Sequence, residues 1–232
     1  MLIESLQNEK IKNLTRLITD NRFRKKSGTF VVEGEQENAM AANFGFNVQE
    51  YFICESIYSE DFPKGKINLV SEKVYEKIAY RGSSEGIIGV YKTKYSKLNT
   101  FVPKENSSVI IVESIEKPGN LGAILRSCEA FGIEALIITD PKVDFYNPNV
   151  IRSSVGCLFG MKVFQSANEE LFEFLQEKGF NIFTTLMDES AEHIDQQNFK
   201  GNSALLCGTE DSGLSDFWIG EGKNTLIPMA GS

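Results

Sequence analysis

Three short segments in the second half of the chain carry residues that could do chemistry. They span residues 117–126, 208–214 and 227–229. The first combines an amide and a guanidinium after a Pro-Gly turn, and an arginine can stabilise negative charge that develops in a reaction. The second is bracketed by two glycines, which let a backbone approach a bound molecule closely. The residues that could form a shared site are Asn120, Arg126, Gly208, Glu210, Ile227 and Met229.

Each segment also has an ordinary explanation. Arg126 could be a solvent-facing cation and Glu210 could cap a helix. Ile227 and Met229 could pack in a loop against the core, or they could flank an adenine ring that the backbone near Gly208 recognises through N–H and C=O groups. The segments taken singly leave these alternatives open.

The elements that would position the segments are short apolar strands. Residues 109–112, 204–207 and about 225–227 each precede one segment. In this half, strands alternate with helices, which predicts a parallel sheet covered on both faces. Because a parallel sheet binds its ligand at the carboxyl ends of its strands, we expect the three segments to meet there. The other predicted elements here are strands 135–139, 161–164 and 181–184 and helices 121–131, 148–157 and 169–178.

The first half of the chain predicts a smaller α/β unit. An amphipathic helix over residues 4–20 opens it. Strands 29–33, 51–54, 67–70 and 85–91 and helices 35–43 and 72–79 follow. A polar stretch that contains Pro103 separates the two halves. We therefore expect a domain over residues 1–96, a linker over 97–108 and a second domain over 109–232.

Composition excludes several classes of protein. The 232 residues begin without a signal-peptide pattern and contain no apolar run long enough for a membrane span. The four cysteines form no Cys-x-x-Cys pair, and His193 is the single histidine, so we expect no metal site and no hydrolytic triad. The absence of a Gly-x-Gly-x-x-Gly motif disfavours a nucleotide-dependent oxidoreductase. We expect a cytoplasmic protein with reduced thiols.

Charge is distributed unevenly along the chain. The net charge is −8, yet residues 1–30 hold seven basic and three acidic side chains and so carry +4. The run Arg22-Phe23-Arg24-Lys25-Lys26 interleaves an aromatic ring with four cations, as a segment that contacts phosphates does. Cations are also favoured at the end of a helix, so the run alone does not decide between the two explanations.

The order and spacing of the three segments resemble the motifs of the SpoU (TrmH-type) family of SPOUT RNA 2′-O-ribose methyltransferases. The resemblance covers residues 109–232. Residues 149–156, which include Arg152, are similar to a further family segment. Residues 1–95 more weakly resemble the family's N-terminal RNA-binding domain, which is similar to a ribosomal-protein fold. The resemblance implies an α/β protein with a deep trefoil knot and a homodimer formed through the C-terminal domain.

The resemblance also implies a reaction, in which a methyl group moves from S-adenosylmethionine to a ribose 2′-hydroxyl. Gly208, Ile227 and Met229 match cofactor-binding positions, and Asn120, Arg126 and Glu210 match catalytic ones. Because the pKa of a guanidinium lies above about 12, we expect Arg126 to stabilise charge rather than act as the base. The expected RNA-binding residues are Arg22, Arg24, Lys25, Lys26 and Arg152.

The expected substrate is structured RNA, and ribosomal RNA is favoured over transfer RNA. The alternatives are a transfer RNA methyltransferase and a non-catalytic RNA-binding protein that keeps the fold. The third motif is cut short at Ser232, so the methyltransferase domain is expected to be incomplete at its C-terminus. No membrane or metal partner is expected.

Overall fold

The computed structural model describes residues 2–79, 85–186, 188 and 191–228. These fall into two compact units. One comprises Met1–Lys94, Leu121–Ala123 and Asp144–Gly160, and the other comprises Tyr95–Asn120, Ile124–Val143 and Met161–Ser232.

Strands and helices alternate along the described chain. The strands are β1 Leu2–Ile3, β2 Thr29–Glu33, β3 Val48–Ile53, β4 Ile67–Val70, β5 Ile87–Lys92, β6 Ser108–Glu113, β7 Ala135–Thr139, β8 Lys162–Ser166, β9 Asn181–Thr184, β10 Glu192–His193, β11 Ser203–Cys207 and β12 Lys223–Leu226. The α-helices are α1 Glu9–Thr19, α2 Asn21–Ser27, α3 Glu35–Asn43, α4 Glu72–Ile78, α5 Pro118–Ala130, α6 Pro148–Ser153, α7 Cys157–Gly160 and α8 Asn168–Glu177.

The first unit contains a five-stranded mixed sheet in the order β1-β4-β3-β5-β2. Strand β5 runs antiparallel to both β2 and β3, whereas β4 pairs in parallel with β1 and β3. Helix α1 buries Ile11, Leu14 and Leu17 at the spacing that the sequence predicted. It begins later than predicted because Asn8 caps it, accepting a hydrogen bond from the Lys10 amide.

Helix α2 lies beyond the helix predicted over residues 4–20 and was not predicted. Asp20 ends α1 and caps α2 by accepting a hydrogen bond from the Phe23 amide. In contrast, the helix predicted over residues 148–157 is divided into α6 and α7. Val155 and Gly156 lie between the two with φ angles of 52° and 78°, which no helix can contain.

The prediction that Arg24 contacts RNA is wrong. Its side chain is only 3% exposed, and Nε donates a 2.8 Å hydrogen bond to the Asp144 carboxylate within the first unit. Nη1 donates to the backbone oxygens of Leu17 and Ile18. The guanidinium is therefore held inside the protein, where a phosphate cannot reach it.

The second unit contains a seven-stranded sheet in the order β10-β12-β9-β11-β6-β7-β8. All of its pairings are parallel, which confirms the parallel sheet that the sequence predicted. The central strands carry the core: Val109, Ile111, Ile137 and Leu206 are buried. The carboxyl ends of β6 and β11 lie side by side, because Val112 is the register partner of Cys207.

Neither a membrane helix nor a metal cluster is present in the described part of the chain. Within these residues, no helix combines the length and apolar character that crossing a bilayer requires. The same residues hold no group of three or more potential metal-ligating side chains. His193, the single histidine, is exposed on the short strand β10.

Candidate functional site

A pocket of about 320 Å³ opens at the carboxyl ends of β6 and β11, within the second unit. Its wall is formed by residues 112–117, 120, 124 and 207–212. Two of the three segments selected from the sequence thus meet where a parallel sheet binds ligands. The pocket falls within the size range of small-molecule sites, roughly 300–1,000 Å³.

The glycine-bracketed loop forms one side of this pocket and folds back on itself. The amides of Thr209 and Gly213 each donate a hydrogen bond to the other residue's carbonyl oxygen, at 3.0 and 3.2 Å. Gly213 adopts a left-handed conformation with φ of 69°. Gly208 is required for space, because a Cβ atom there would overlap the backbone of Gly213 and Leu214.

Glu210 joins the two sides of the pocket mouth. Its carboxylate accepts hydrogen bonds from Asn120 Nδ2, at 2.5 Å, and from Lys117 Nζ. These bonds, that of Lys117 first, lower the pKa of the Glu210 carboxyl from its usual value, and the same contact raises the pKa of the Lys117 ammonium. The structure thus brings together Asn120 and Glu210, both selected from the sequence. Lys117 was missed, although it stands directly before the Pro-Gly turn.

Arg126 lies apart from this arrangement. It is exposed on α5 and is not among the residues that line the pocket. Across the part of the chain that the structure describes, its guanidinium has no hydrogen-bond or ion-pair partner. It follows Asn120 by six residues, which places the two on different sides of a helix with 3.6 residues per turn.

The third segment is only partly described. Ile227 follows β12 with 46% of its surface exposed, and it does not line the pocket. Met229 lies outside the described residues. Of the predicted cofactor-binding residues, Gly208 therefore lines the pocket and Ile227 does not.

Comparison with known proteins identifies the family. The model of the SpoU rRNA Methylase family matches residues 107–232, more than half of the chain. The chain belongs to the SpoU rRNA methylase family. A second model, described as an MRM3-like substrate binding domain, matches residues 8–89 of this SpoU protein.

Relatives of this SpoU protein include enzymes that modify ribosomal RNA. It is 26% identical to the 23S rRNA (guanosine(2553)-2′-O)-methyltransferase RlmP of Bacillus subtilis, over 99% of this chain and 91% of the relative. A crystal structure of an RNA 2′-O ribose methyltransferase is 28% identical with a TM-score of 0.85, over 100% of this chain and 91% of the other. An AdoMet-bound rRNA methyltransferase from Sinorhizobium meliloti shares the fold, with 22% identity and a TM-score of 0.90 over 100% and 90% of the two chains.

The SpoU chain has one buried acidic residue in the pocket wall that sequence reasoning missed. Glu113, the last residue of β6, is 4% exposed and accepts hydrogen bonds from Asn168 and Ser215. A lone acidic residue at the end of the apolar strand over residues 109–112 was the signal that could have found it.

The remaining basic residues selected from the sequence lie in the first unit of the SpoU chain. Arg22, Lys25 and Lys26 are exposed on α2, and Arg152 is exposed on α6. Arg16 of α1, which was not selected, places its guanidinium 3.8 Å from the centre of the Phe23 ring. Apart from Arg24, the predicted cations are therefore accessible to a phosphate.

Proposed function

We propose that this chain transfers a methyl group from S-adenosylmethionine to a ribose 2′-hydroxyl of ribosomal RNA. The observation that carries the proposal is the pocket at the ends of β6 and β11 in a member of the SpoU family. There Glu210, on the loop that follows Gly208, accepts a hydrogen bond from Asn120. The rRNA methyltransferase of Bacillus subtilis, similar along almost its whole length, supports the substrate class.

The residues around the pocket fit S-adenosylmethionine. Val112 and Ile124 offer apolar surface, and the closely approaching backbone at Gly208 and Thr209 offers polar groups to a purine. When bound, the cofactor supplies an electrophilic methyl group on a sulfonium. We propose that the loop over residues 208–212 holds it, with Ile227 and Met229 contributing further contacts.

The polar residues at the pocket mouth are proposed to receive the ribose. Glu210 is a carboxylate at neutral pH, as glutamates ordinarily are, and can accept a hydrogen bond from a hydroxyl. Asn120 can orient the same group through its amide. Arg126 is proposed to stabilise negative charge on the attacking oxygen or on an adjacent phosphate from the exposed face of α5, since a guanidinium stays protonated.

The first part of the chain is proposed to bind the RNA. We assign residues 1–96 to a substrate-binding domain, 97–108 to a linker and 109–232 to the methyltransferase domain. The match of an MRM3-like substrate binding domain to residues 8–89 supports this division. Phosphate contacts are proposed for Arg22, Lys25, Lys26 and Arg152, and binding should weaken as salt concentration rises.

Three further properties are proposed from membership of the family. They are a deep trefoil knot in the methyltransferase domain, a homodimer formed through that domain and a cytoplasmic location. The free cysteines among the described residues agree with a reducing compartment. Sedimentation equilibrium on the purified chain tests the dimer.

Replacing Arg126 with alanine tests the proposed reaction. With labelled S-adenosylmethionine and ribosomal RNA from cells that lack this gene, we expect the wild-type chain to transfer methyl groups to one defined ribose. Removing a group that stabilises developing charge lowers turnover by about 10²–10³-fold, so R126A should lose activity to this extent while it still binds the cofactor.

An exposed lysine provides the control for Arg126. Lys200 is a cation of the same unit that does not line the pocket, and K200A should keep wild-type turnover. Equal turnover of R126A and wild type would refute the role of Arg126. Methylation of transfer RNA alone would refute the ribosomal substrate, and cofactor binding without transfer to either RNA would refute the reaction.

Replacing Lys117 with methionine should raise the pKa of Glu210. The hydrogen bond from the Lys117 ammonium is the main cause of the lowered pKa, and methionine keeps most of the length of the side chain without the charge. A titration of the Glu210 carboxyl carbon by NMR in K117M and wild type measures the change. K142M removes the lysine that pairs with Asp140 and should leave the Glu210 titration unchanged. The same pKa in K117M and wild type would contradict the expected contact.

A further inference from the structure

The carboxylate of Glu113 is surrounded by hydrogen-bond donors from two other elements of the second unit. Oε1 accepts from Asn168 Nδ2 at 2.6 Å and from Ser215 Oγ at 2.7 Å, and Oε2 accepts from the Ser215 amide at 2.7 Å. A buried carboxylate requires such donors, because desolvation of the charge is otherwise costly. Glu113 lies in the pocket wall and its carboxylate accepts three hydrogen bonds, which indicates a more specific role for this residue than filling the core.

Ser215 marks the far end of the loop that walls the pocket. The near end of that loop continues from β11, which is fixed in the middle of the sheet. Between the two ends, the mutual hydrogen bonds of Thr209 and Gly213 make the loop a single turn. The position of Ser215 relative to β6 therefore sets where the loop lies against the opposite wall of the pocket.

We propose that Glu113 is a positioning residue of the cofactor site, whose carboxylate holds Ser215 and thereby sets the loop that walls the pocket. The inference rests on the proposed function for the identity of the ligand, S-adenosylmethionine. Glu113 acts through hydrogen-bond geometry and takes no proton from the substrate. Its effect should therefore appear in the affinity for the cofactor and not in the chemical step.

Asn168 provides a way to separate geometry from charge. Its Oδ1 atom is buried and has no hydrogen-bond partner among the residues that the structure describes, while its Nδ2 atom donates to Glu113. A glutamine at position 113 can accept from the Ser215 amide through its oxygen and donate to Asn168 Oδ1 through its nitrogen once the Asn168 amide turns over. The Ser215 hydroxyl can rotate to accept. E113Q thus preserves the hydrogen bonds without the charge.

The first experiment titrates S-adenosylmethionine into the full chain by calorimetry. We expect E113A to raise Kd by about tenfold to hundredfold, since hydrogen bonds to a charged acceptor are lost. S215A keeps the backbone donor and should raise Kd less, and E113Q should stay within about threefold of wild type. The control is E105A, which removes an exposed glutamate that does not line the pocket.

Turnover at saturating cofactor separates positioning from catalysis. Under the proposal, E113Q and wild type have equal kcat. A loss of kcat in E113Q with an unchanged Kd would overturn the proposal, because charge or proton transfer would then be the function of Glu113. Equal Kd in E113A and wild type would overturn it as well.

Amide hydrogen exchange tests the positioning without any ligand. Exchange of residues 208–215 should be faster in E113A than in wild type and should return to the wild-type rate in E113Q, while exchange in β7 stays unchanged in both. If wild type fails to bind S-adenosylmethionine, the proposed function is wrong, yet faster exchange in E113A still supports the positioning of the loop by Glu113. Unchanged exchange in E113A would refute it, and faster exchange in β7 would show general unfolding instead of a local role.

Discussion

Replacing Gly208 with alanine should weaken binding of S-adenosylmethionine by about hundredfold. The added methyl group would overlap the backbone of Gly213 and Leu214, and a backbone cannot move aside as the end of a flexible side chain can. The loop over residues 208–214 must therefore open, which changes the wall of the pocket. Calorimetric titration of the cofactor into G208A and wild type measures the effect.

Gly119 provides the matched control for this substitution. A Cβ atom on Gly119 would meet no atom within 4 Å, and this glycine does not line the pocket. G119A should bind the cofactor within about threefold of wild type, because alanine is tolerated in the first turn of a helix. Wild-type affinity in G208A would show that the loop has room and does not form the cofactor site.

Replacing Asp144 with alanine should lower the free energy of unfolding by about 3–5 kcal/mol. The substitution leaves the Arg24 guanidinium buried without its carboxylate, and an uncompensated buried charge is strongly destabilising. Asp144 also accepts a hydrogen bond from the Tyr146 amide, which would be lost. Urea unfolding followed by circular dichroism measures the change.

Two further variants separate this structural pair from the cations on the surface. K25A removes an exposed neighbour of Arg24 and should change the free energy of unfolding by less than about 0.5 kcal/mol, although it should weaken RNA binding. A double replacement of Arg24 and Asp144 by leucine should recover most of the stability lost in D144A, because no charge then remains buried. A loss in D144A no larger than that in K25A would contradict the role of the pair.

Much of the secondary structure was predictable from local sequence. Strands β2, β4 and β7 and helix α3 lie where apolar runs and glycines placed them. Two of the three candidate segments meet in the pocket for a similar reason: a parallel sheet gathers the residues that follow its strands at one edge. Asn120 and Glu210 were therefore selected correctly as neighbours, although 90 residues separate them.

Pairings between distant residues were not predictable. The four cations of residues 22–26 were all predicted to bind RNA. Arg24 instead pairs with the Asp144 carboxylate, 120 residues further along the chain, and is buried. Glu113 gains its importance from Ser215, which follows it by 102 residues. Ile227 and Arg126 were selected by the family's motifs, but neither lines the pocket in the described chain.

The sequence by itself determined the alternation of strands and helices, the parallel sheet and the family, because these follow from local periodicity and from the order of short motifs. Only the tertiary structure decided which charges are buried, which donors surround Glu113 and which lysine holds Glu210. The physical reason is that the cost of desolvating a charge and the geometry of a hydrogen bond depend on neighbours in space. Those neighbours come from parts of the chain whose separation in sequence carries no trace of the contact.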